Sequence, residues 1–139
     1  MAEDDSDDRL LVQEAINESN WMGDVHFVGD GEELLNYLDR TGTFSPPAAA
    51  PRPGLILLDL NMPKMDGREV IAKIRENPQY RKIPVVVLTT SKADTDIEEI
   101  YALGANSFIT KPAQFESLVN VMKLLSDYWF KTVVLPSGR

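Results

Sequence analysis

Side chains able to transfer a phosphoryl group stand at regular positions along the chain. Asp59, Thr89 and Lys111 each come directly after a short run that predicts a strand, and the acidic residues Glu3–Asp5 precede the first predicted helix. A carboxylate can attack phosphorus and form an acyl phosphate, and carboxylate oxygens are ligands that Mg²⁺ prefers. A hydroxyl and an ammonium can neutralise the oxygens of the transferred group. These residue types point to phosphoryl transfer assisted by magnesium.

The predicted elements that position these residues are strands alternating with helices. Two strands are apolar at every residue, which is typical of strands buried on both faces of a parallel sheet. The alternation predicts an α/β fold with a doubly wound parallel sheet, where ligand sites form beyond the carboxyl ends of the strands. The predicted strands are Val25–Val28, Leu55–Leu58, Val85–Leu88 and Ser107–Thr110; the proline-rich segment Thr41–Gly54 is predicted to be a loop.

Composition excludes several classes of protein. The 139 residues include no cysteine and one histidine, His26, so disulfides, a zinc site and a Ser-His triad are not expected. The net charge of −8 would repel nucleic acid and anionic lipid. No apolar run approaches the roughly 18 residues needed to span a bilayer, and the start lacks the features of a secretory signal. We therefore expect a cytoplasmic, single-domain protein.

Several motifs in combination resemble the signature of bacterial response regulator receiver domains. They are E-D-D before the first helix, L-L-D-L-N-M-P around Asp59, L-T-T-S around Thr89 and T-K-P around Lys111, with Thr89 30 positions and Lys111 52 positions after Asp59. The segments Pro53–Ser91 and Tyr128–Pro136 resemble in particular the single-domain regulators that partner phytochrome histidine kinases. This resemblance implies a flavodoxin-like receiver fold with strand order 2-1-3-4-5.

The resemblance also assigns a phosphoacceptor and a metal site. By the family's motif, Asp59 accepts the phosphoryl group and binds Mg²⁺. Asp4 is then the second metal carboxylate with Glu3 beside it, and Asn61 offers its backbone carbonyl to the cation.

Further roles follow for three residues near the other strand ends. Thr89 and Lys111 are implied to contact the phosphoryl oxygens, and Thr89 and Phe108 occupy the family's switch positions. The implied partners are a sensor histidine kinase, such as a phytochrome, or a phosphotransfer protein. We expect a receiver domain over residues 1–130, a C-terminal arm over residues 131–139, and a homodimer formed through Gly104–Leu135.

Two alternatives stay open at this level. A haloacid-dehalogenase-type phosphatase also uses an aspartate at a strand end, a threonine, a lysine and magnesium. That class needs D-x-D, whereas this chain has Asp59-Leu60-Asn61, and it places its acidic metal pair late in the chain. The other alternative is a pseudo-receiver that acts without phosphorylation.

One feature departs from the family pattern. A buried strand is expected directly before the acidic residues, but only Met1 and Ala2 stand there, so the first strand is apparently truncated. Loss of a central strand would leave backbone groups of its neighbours unpaired. We expect the native chain to begin upstream of Met1, and the chain as given to be poorly stable alone.

Overall fold

The computed structural model describes residues 1–46 and 51–136, and its centre is a parallel sheet. The strands are β1 (Ile56–Leu58), β2 (Val85–Thr89) and β3 (Ser107–Thr110), in the order β1-β2-β3 and with both pairs parallel. This confirms the predicted class. Residues 47–50 of the predicted loop and residues 137–139 of the predicted arm lie outside the described residues.

A single residue, Ala2, holds the place of the expected first strand. It forms parallel bridges to Val28 on one side and to Leu58 on the other. The N–H of Ala2 donates to the carbonyl of Leu57 at 2.9 Å, and the N–H of Glu3 donates to the carbonyl of Val28 at 3.0 Å. Across the sheet the order is therefore Val28, Ala2, β1, β2 and β3, which agrees with the predicted 2-1-3-4-5.

The strand predicted over Val25–Val28 is wrong for most of its length, because only Val28 pairs. Ala2 pairs with this segment at Val28 alone, and no strand in the described part of the chain lies beside residues 25–27 to complete a ladder. The amino group of Met1 instead donates to the carbonyl of His26 at 2.6 Å. Burial, with a smaller contribution from the charge of Arg9, lowers the pKa of this amino group to about 5.

Helices cover both faces of the sheet. At the start of α1 (Ser6–Glu18), the Asp5 side chain accepts hydrogen bonds from the N–H groups of Asp7 and Asp8, which satisfies donors that the helix leaves unpaired there. Asp66 caps α3 (Gly67–Glu76) in the same way. The helices are α1 (Ser6–Glu18), α2 (Gly31–Asp39), α3 (Gly67–Glu76), α4 (Asp94–Leu103) and α5 (Phe115–Ser126), with a 3₁₀ turn at Gly42–Phe44.

The apolar strands divide their side chains between two core clusters. Ile56 and Leu58 belong to the cluster that includes residues of α2, α3 and α4, whereas Leu57 belongs to the cluster formed with α1 and α5. Because successive strand residues point to opposite faces, a strand covered on both faces must be apolar throughout. The residue that follows each strand lies at the carboxyl edge of the sheet, because the strand ends there.

The helical segment that begins with α5 changes form before its end. It is α-helical to Ser126 and continues as a π-helix over Asp127–Thr132. Within the described ranges, no helix combines the length and apolarity needed to cross a membrane.

Candidate functional site

The end of β1 lies against the acidic residues that precede α1. The N–H of Asp59 donates to the carbonyl of Ala2 at 3.2 Å, so backbone pairing brings the two segments together. Carboxylate oxygens of Glu3, Asp4 and Asp59 lie within 4.8 Å of one another. Glu3 is inaccessible to solvent and Asp59 is buried, whereas Asp4 is exposed. The cluster is thus closed on the side of the sheet and open where Asp4 meets solvent.

The donor set of this cluster fits a hard divalent cation. It offers carboxylate oxygens only, which suit Mg²⁺ or Mn²⁺ better than metals that prefer sulfur or imidazole. Like charges at this separation oppose one another's ionisation, and a cation between them removes that cost. Asn61, the fourth predicted metal residue, follows in the same loop and is exposed. No contact among the described residues joins its carbonyl to the cluster.

Lys111 binds the acidic cluster from the end of β3. Its Nζ lies 2.6 Å from Oε1 of Glu3 and 3.5 Å from Oδ2 of Asp8. Its backbone N–H donates to the carbonyl of Thr89 at 2.6 Å, which holds the ends of β2 and β3 together. An ammonium has three N–H donors. The third donor of Lys111 has no partner in residues 1–46 or 51–136 and could meet an added anion.

The charges of this pair are strongly perturbed. Burial raises the pKa of Glu3 to about 7, and the hydrogen bond and charge of Lys111 only partly oppose this effect. Burial lowers the pKa of Lys111, but the hydrogen bond and charge of Glu3, with the charges of Asp59 and Asp8, raise it above its ordinary value overall. Near neutral pH the site therefore holds a charged lysine beside a carboxyl that takes up a proton readily.

Thr89 brings an unsatisfied hydroxyl to the same edge. The residue ends β2 and is fully buried, and its Oγ1 has no hydrogen-bond partner in the described chain. A buried hydroxyl without a partner costs free energy, so an incoming oxygen that bonds to it would recover that cost.

Phe108, the other predicted switch residue, is partly buried against the core, and its N–H donates to the Tyr101 hydroxyl at 3.1 Å.

The loop after Asp59 depends on a close backbone approach at Gly67. The N–H of Gly67 donates to the carbonyl of Leu60 at 2.9 Å. A Cβ at this position would lie 2.8 Å from the carbonyl oxygen of Asp59, closer than real Cβ contacts come. Glycine is therefore required by space here, since the obstacle is backbone. No pattern in the sequence indicated that position 67 requires glycine.

Two further residues were missed near the acidic cluster. Nη2 of Arg9 donates to the carbonyl of Glu3 at 2.8 Å, and its Nε is buried without a partner in the described chain. Asp8, in the first turn of α1, lies beside Lys111. The sequence did contain an indication of a role for Arg9, because it is the sole lysine or arginine among the first 39 residues, which are rich in acidic side chains.

A polar network fixes the loop that follows Thr89. The Ser91 hydroxyl donates to Oδ2 of Asp96 at 2.5 Å, and the Arg68 guanidinium donates to Oδ1 of the same carboxylate. Arg68 also lies 3.2 Å from Glu99, so it links α3 to α4. The hydrogen bond from Ser91, followed by that from Arg68, lowers the pKa of Asp96 below its ordinary value.

Comparison with known proteins identifies the family. Residues 1–123 match the response regulator receiver domain. The chain belongs to this family. Phosphorylation on an aspartate is typical of such domains, which act in two-component signalling. Membership decides against the haloacid-dehalogenase-type phosphatase that the sequence left open.

The similar proteins include regulators connected with phytochromes. The response regulator Rcp1 of Synechocystis sp. is 39% identical over 138 residues, which cover 99% of this chain and 92% of Rcp1. The crystal structure of the phosphorylated cyanobacterial phytochrome response regulator RcpA has a TM-score of 0.88 at 44% identity, covering 98% of this chain and 95% of that one. The Mn²⁺-bound structure of Rcp1 has a TM-score of 0.87 at 40% identity, covering 98% of this chain and 96% of that one.

Proposed function

We infer that the chain is a phosphorylation-dependent signalling module in which Asp59 is the phosphoacceptor. The observation that carries this proposal is the position of Asp59, at the end of a buried strand and within one cluster with Glu3 and Asp4. Thr89 ends β2 and Lys111 directly follows β3 in the same sheet, as expected for residues that contact the transferred group.

The proposed reaction moves a phosphoryl group from a phosphohistidine of a sensor kinase to this chain. A carboxylate oxygen of Asp59 attacks phosphorus, the P–N bond to histidine breaks, and the electron pair of that bond stays on the histidine nitrogen. The product is an aspartyl phosphate. The chain promotes transfer onto itself and turns over no separate substrate.

Residues of this chain would stabilise the charge on the transferred group. The unused donor of Lys111 and the unpaired hydroxyl of Thr89 are suited to two of its oxygens. A divalent cation, for which we propose Mg²⁺, would be held by carboxylates of Glu3, Asp4 and Asp59, with the Asn61 carbonyl as a further ligand. When bound, it would supply positive charge to the phosphoryl oxygens. The Mn²⁺-bound form of Rcp1 supports a divalent cation at a site of this kind.

The proposed donor is a histidine kinase, specifically a phytochrome. The support is the likeness to Rcp1 and to RcpA, the latter described as a phytochrome response regulator. A cytoplasmic location is part of this proposal, because such a kinase draws on cytoplasmic ATP. Signalling would proceed through changed contacts with the kinase, a phosphotransfer protein or another regulator.

We also propose a homodimer through the face that runs from Gly104 to Leu135. Large apolar side chains are exposed there on α5 and beyond: Leu124 is 69% exposed, Tyr128 is 52% exposed and Val134 is 97% exposed. Large exposed apolar side chains are typical of protein interfaces where they form a patch.

Incubation with acetyl phosphate and Mg²⁺, followed by intact-mass measurement, tests the phosphoacceptor. We expect the mass of one phosphoryl group to appear on the chain and to be absent from Asp59→Asn. A matched control is Asp94→Asn, an exposed aspartate in the first turn of α4. Undiminished labelling of Asp59→Asn, or loss of labelling in both variants, would contradict the proposal.

A further inference from the structure

The ammonium of Lys111 lies between two carboxylates whose surroundings differ. Oε1 of Glu3 is 2.6 Å from Nζ and belongs to a side chain that solvent does not reach. Oδ2 of Asp8 is 3.5 Å from Nζ, and the Asp8 side chain is 38% exposed. The Lys111 side chain is only 7% exposed. Loss of its principal partner would therefore leave a nearly buried charge without compensation.

Two cations compete for the carboxylate of Glu3. Its Oε1 accepts from Lys111, and its Oε2 accepts from the N–H of Asp5 at 3.3 Å. The same carboxylate lies with those of Asp4 and Asp59 in the cluster proposed to hold a divalent cation. With a cation bound there, Glu3 shares its negative charge and the ammonium is repelled, because like charges act strongly where little water screens them. The attraction of Glu3 for Lys111 is therefore weakest in the state that takes part in phosphoryl transfer.

Asp8 is not subject to this competition. Its carboxylate is not part of the cluster that Glu3, Asp4 and Asp59 form. Within residues 1–46 and 51–136, its side chain pairs with Lys111 alone. It can therefore hold the ammonium whether or not the cluster is occupied.

The position of Asp8 is fixed by the start of α1. Its backbone N–H donates to Oδ1 of Asp5, the residue that caps the helix, at 3.0 Å. The helix is anchored in the core one and two turns later by Val12 and Ala15, neither of which is exposed. The carboxylate is thus presented to Lys111 from a packed helix, and its place does not depend on the acidic turn that would contact the cation.

We propose that Asp8 is a positioning residue that keeps the ammonium of Lys111 in the site when Glu3 is engaged by the cation. This rests on the proposed function, since it concerns Lys111 as a donor to the transferred phosphoryl group. Asp8 contacts neither that group nor the cation and acts through the lysine alone. An ammonium has three donors, so one can stay on Asp8 while another meets a phosphoryl oxygen.

Asp7 provides a matched control for Asp8. It also lies in the first turn of α1, and its N–H donates to the same Asp5 oxygen at 2.8 Å. Its side chain is exposed, whereas that of Asp8 lies beside Lys111. Asp7→Asn and Asp8→Asn remove the same charge from adjacent positions of one helix. Only a difference between the two variants therefore reports the contact with Lys111.

The first test uses melting temperatures in EDTA at pH 8, with Glu3→Gln standing for a Glu3 whose charge is engaged elsewhere. In this background Asp8→Asn should lower the melting temperature by at least about 4 °C, because Lys111 loses its remaining contact with a carboxylate. With Glu3 intact the loss should be no more than about 2 °C. Asp7→Asn should cost no more than about 2 °C in either background. Asp8→Glu should restore most of the loss.

The second test measures the affinity for beryllofluoride, an analogue of the phosphoryl group, in saturating Mg²⁺. We expect the dissociation constant of Asp8→Asn to exceed that of Asp7→Asn by at least about threefold, because the ammonium is no longer held where the analogue binds. In the Lys111→Met background the two variants should have equal dissociation constants. A role of Asp8 in helix stability alone would not depend on Lys111 in this way.

Two results would overturn the proposal. One is an equal loss of melting temperature for Asp8→Asn and Asp7→Asn in the Glu3→Gln background. The other is a dissociation constant for Asp8→Asn equal to or below that of Asp7→Asn, since Asp8 would then have no effect or would compete with the phosphoryl group for the lysine. Absence of beryllofluoride binding by the unaltered chain would contradict the proposed function at Asp59. The melting temperatures would still decide whether Asp8 holds Lys111.

Discussion

The ammonium of Lys111 and the carboxylate of Glu3 form an ion pair of 2.6 Å between side chains that are 7% and 0% exposed. The pair joins the end of β3 to the turn before α1, which are separated by more than a hundred residues in sequence. A buried pair of this kind contributes little net stability, but removing one partner leaves the other charge uncompensated.

Replacement of Lys111 should destabilise the fold in a pH-dependent way. We expect Lys111→Met to lower the free energy of unfolding by about 3 kcal/mol at pH 8, where Glu3 is ionised. The loss should be smaller at pH 5, because Glu3 is then protonated and leaves no bare charge. Urea unfolding at both values measures this, with the double variant Glu3→Gln/Lys111→Met expected to recover part of the loss. Equal losses at the two pH values would count against the charge explanation.

The raised pKa of Glu3 predicts how stability depends on pH. The folded chain keeps a proton on Glu3 up to about pH 7, whereas the unfolded chain loses it near 4.5. The stability contributed by this carboxyl is therefore full below pH 4.5 and is lost as the pH rises through 7. Glu3→Gln should flatten that part of a plot of melting temperature against pH, while Glu14→Gln on α1 should not.

Cation binding should show the opposite trend over the same range. A cation at this cluster favours ionised carboxylates, so Mn²⁺ affinity should rise between pH 5 and pH 8, and the rise should be weaker in Glu3→Gln. An affinity independent of pH in the unaltered chain would argue that Glu3 is not a ligand.

The unpaired hydroxyl of Thr89 predicts that its removal slows phosphorylation without lowering the stability of the fold. Thr89→Val removes a buried polar group without a partner, so the free energy of unfolding should stay level or rise by up to about 1 kcal/mol. Phosphorylation by acetyl phosphate should nevertheless slow by about 100-fold, because a donor to the transferred group is lost. Thr90→Val, at the exposed neighbouring position, is the control. A destabilised Thr89→Val would mean that the hydroxyl already has a structural partner.

The close approach at Gly67 predicts an effect opposite to helix propensity. Alanine is favoured over glycine in helices, yet Gly67→Ala should lower the free energy of unfolding by about 1 to 3 kcal/mol, because its Cβ meets the Asp59 carbonyl. It should also slow phosphorylation by displacing the loop. Gly29→Ala is a suitable control, since the atoms met there are the ends of the flexible Glu33 and Arg9 side chains. A Gly67→Ala variant more stable than the unaltered chain would show that the loop after Asp59 can shift to accommodate the added Cβ.

The proposed dimer predicts that a charged side chain on the exposed face of α5 weakens association of the two chains. Leu124→Lys should raise the dimer dissociation constant at least about tenfold, equivalent to about 1.4 kcal/mol. Leu10→Lys on α1, also an exposed leucine, should have little effect. Sedimentation equilibrium measures both, and a chain ending at Lys131 should show more monomer. A strictly monomeric pattern for the unaltered chain would contradict the proposal.

The ends of the strands could be predicted from the sequence, because runs of apolar residues identify buried strands. The positions of Asp59, Thr89 and Lys111 at one edge follow from that rule. The partner of Lys111 could not be predicted in this way, since an ion pair depends on side-chain reach rather than on strand order. The strand at Val25–Val28 was overestimated, because pairing requires a neighbour that Ala2 provides at one residue only. The requirement for glycine at position 67 became visible only when the folded loop brought Gly67 against the backbone of Asp59 and Leu60.

The double attachment of Asp96 has a thermodynamic consequence. One carboxylate accepts from Ser91, in the loop after Thr89, and from Arg68 on α3. A partner protein that draws Arg68 away would change the free energy of that loop, and thereby the equilibrium of phosphoryl transfer at Asp59. By linkage, phosphorylation would change the affinity of that partner by the same factor. On the proposed function, the surface of α3 and α4 around Arg68 would therefore be coupled reciprocally to the acidic site, although it shares none of the carboxylates that would hold the cation.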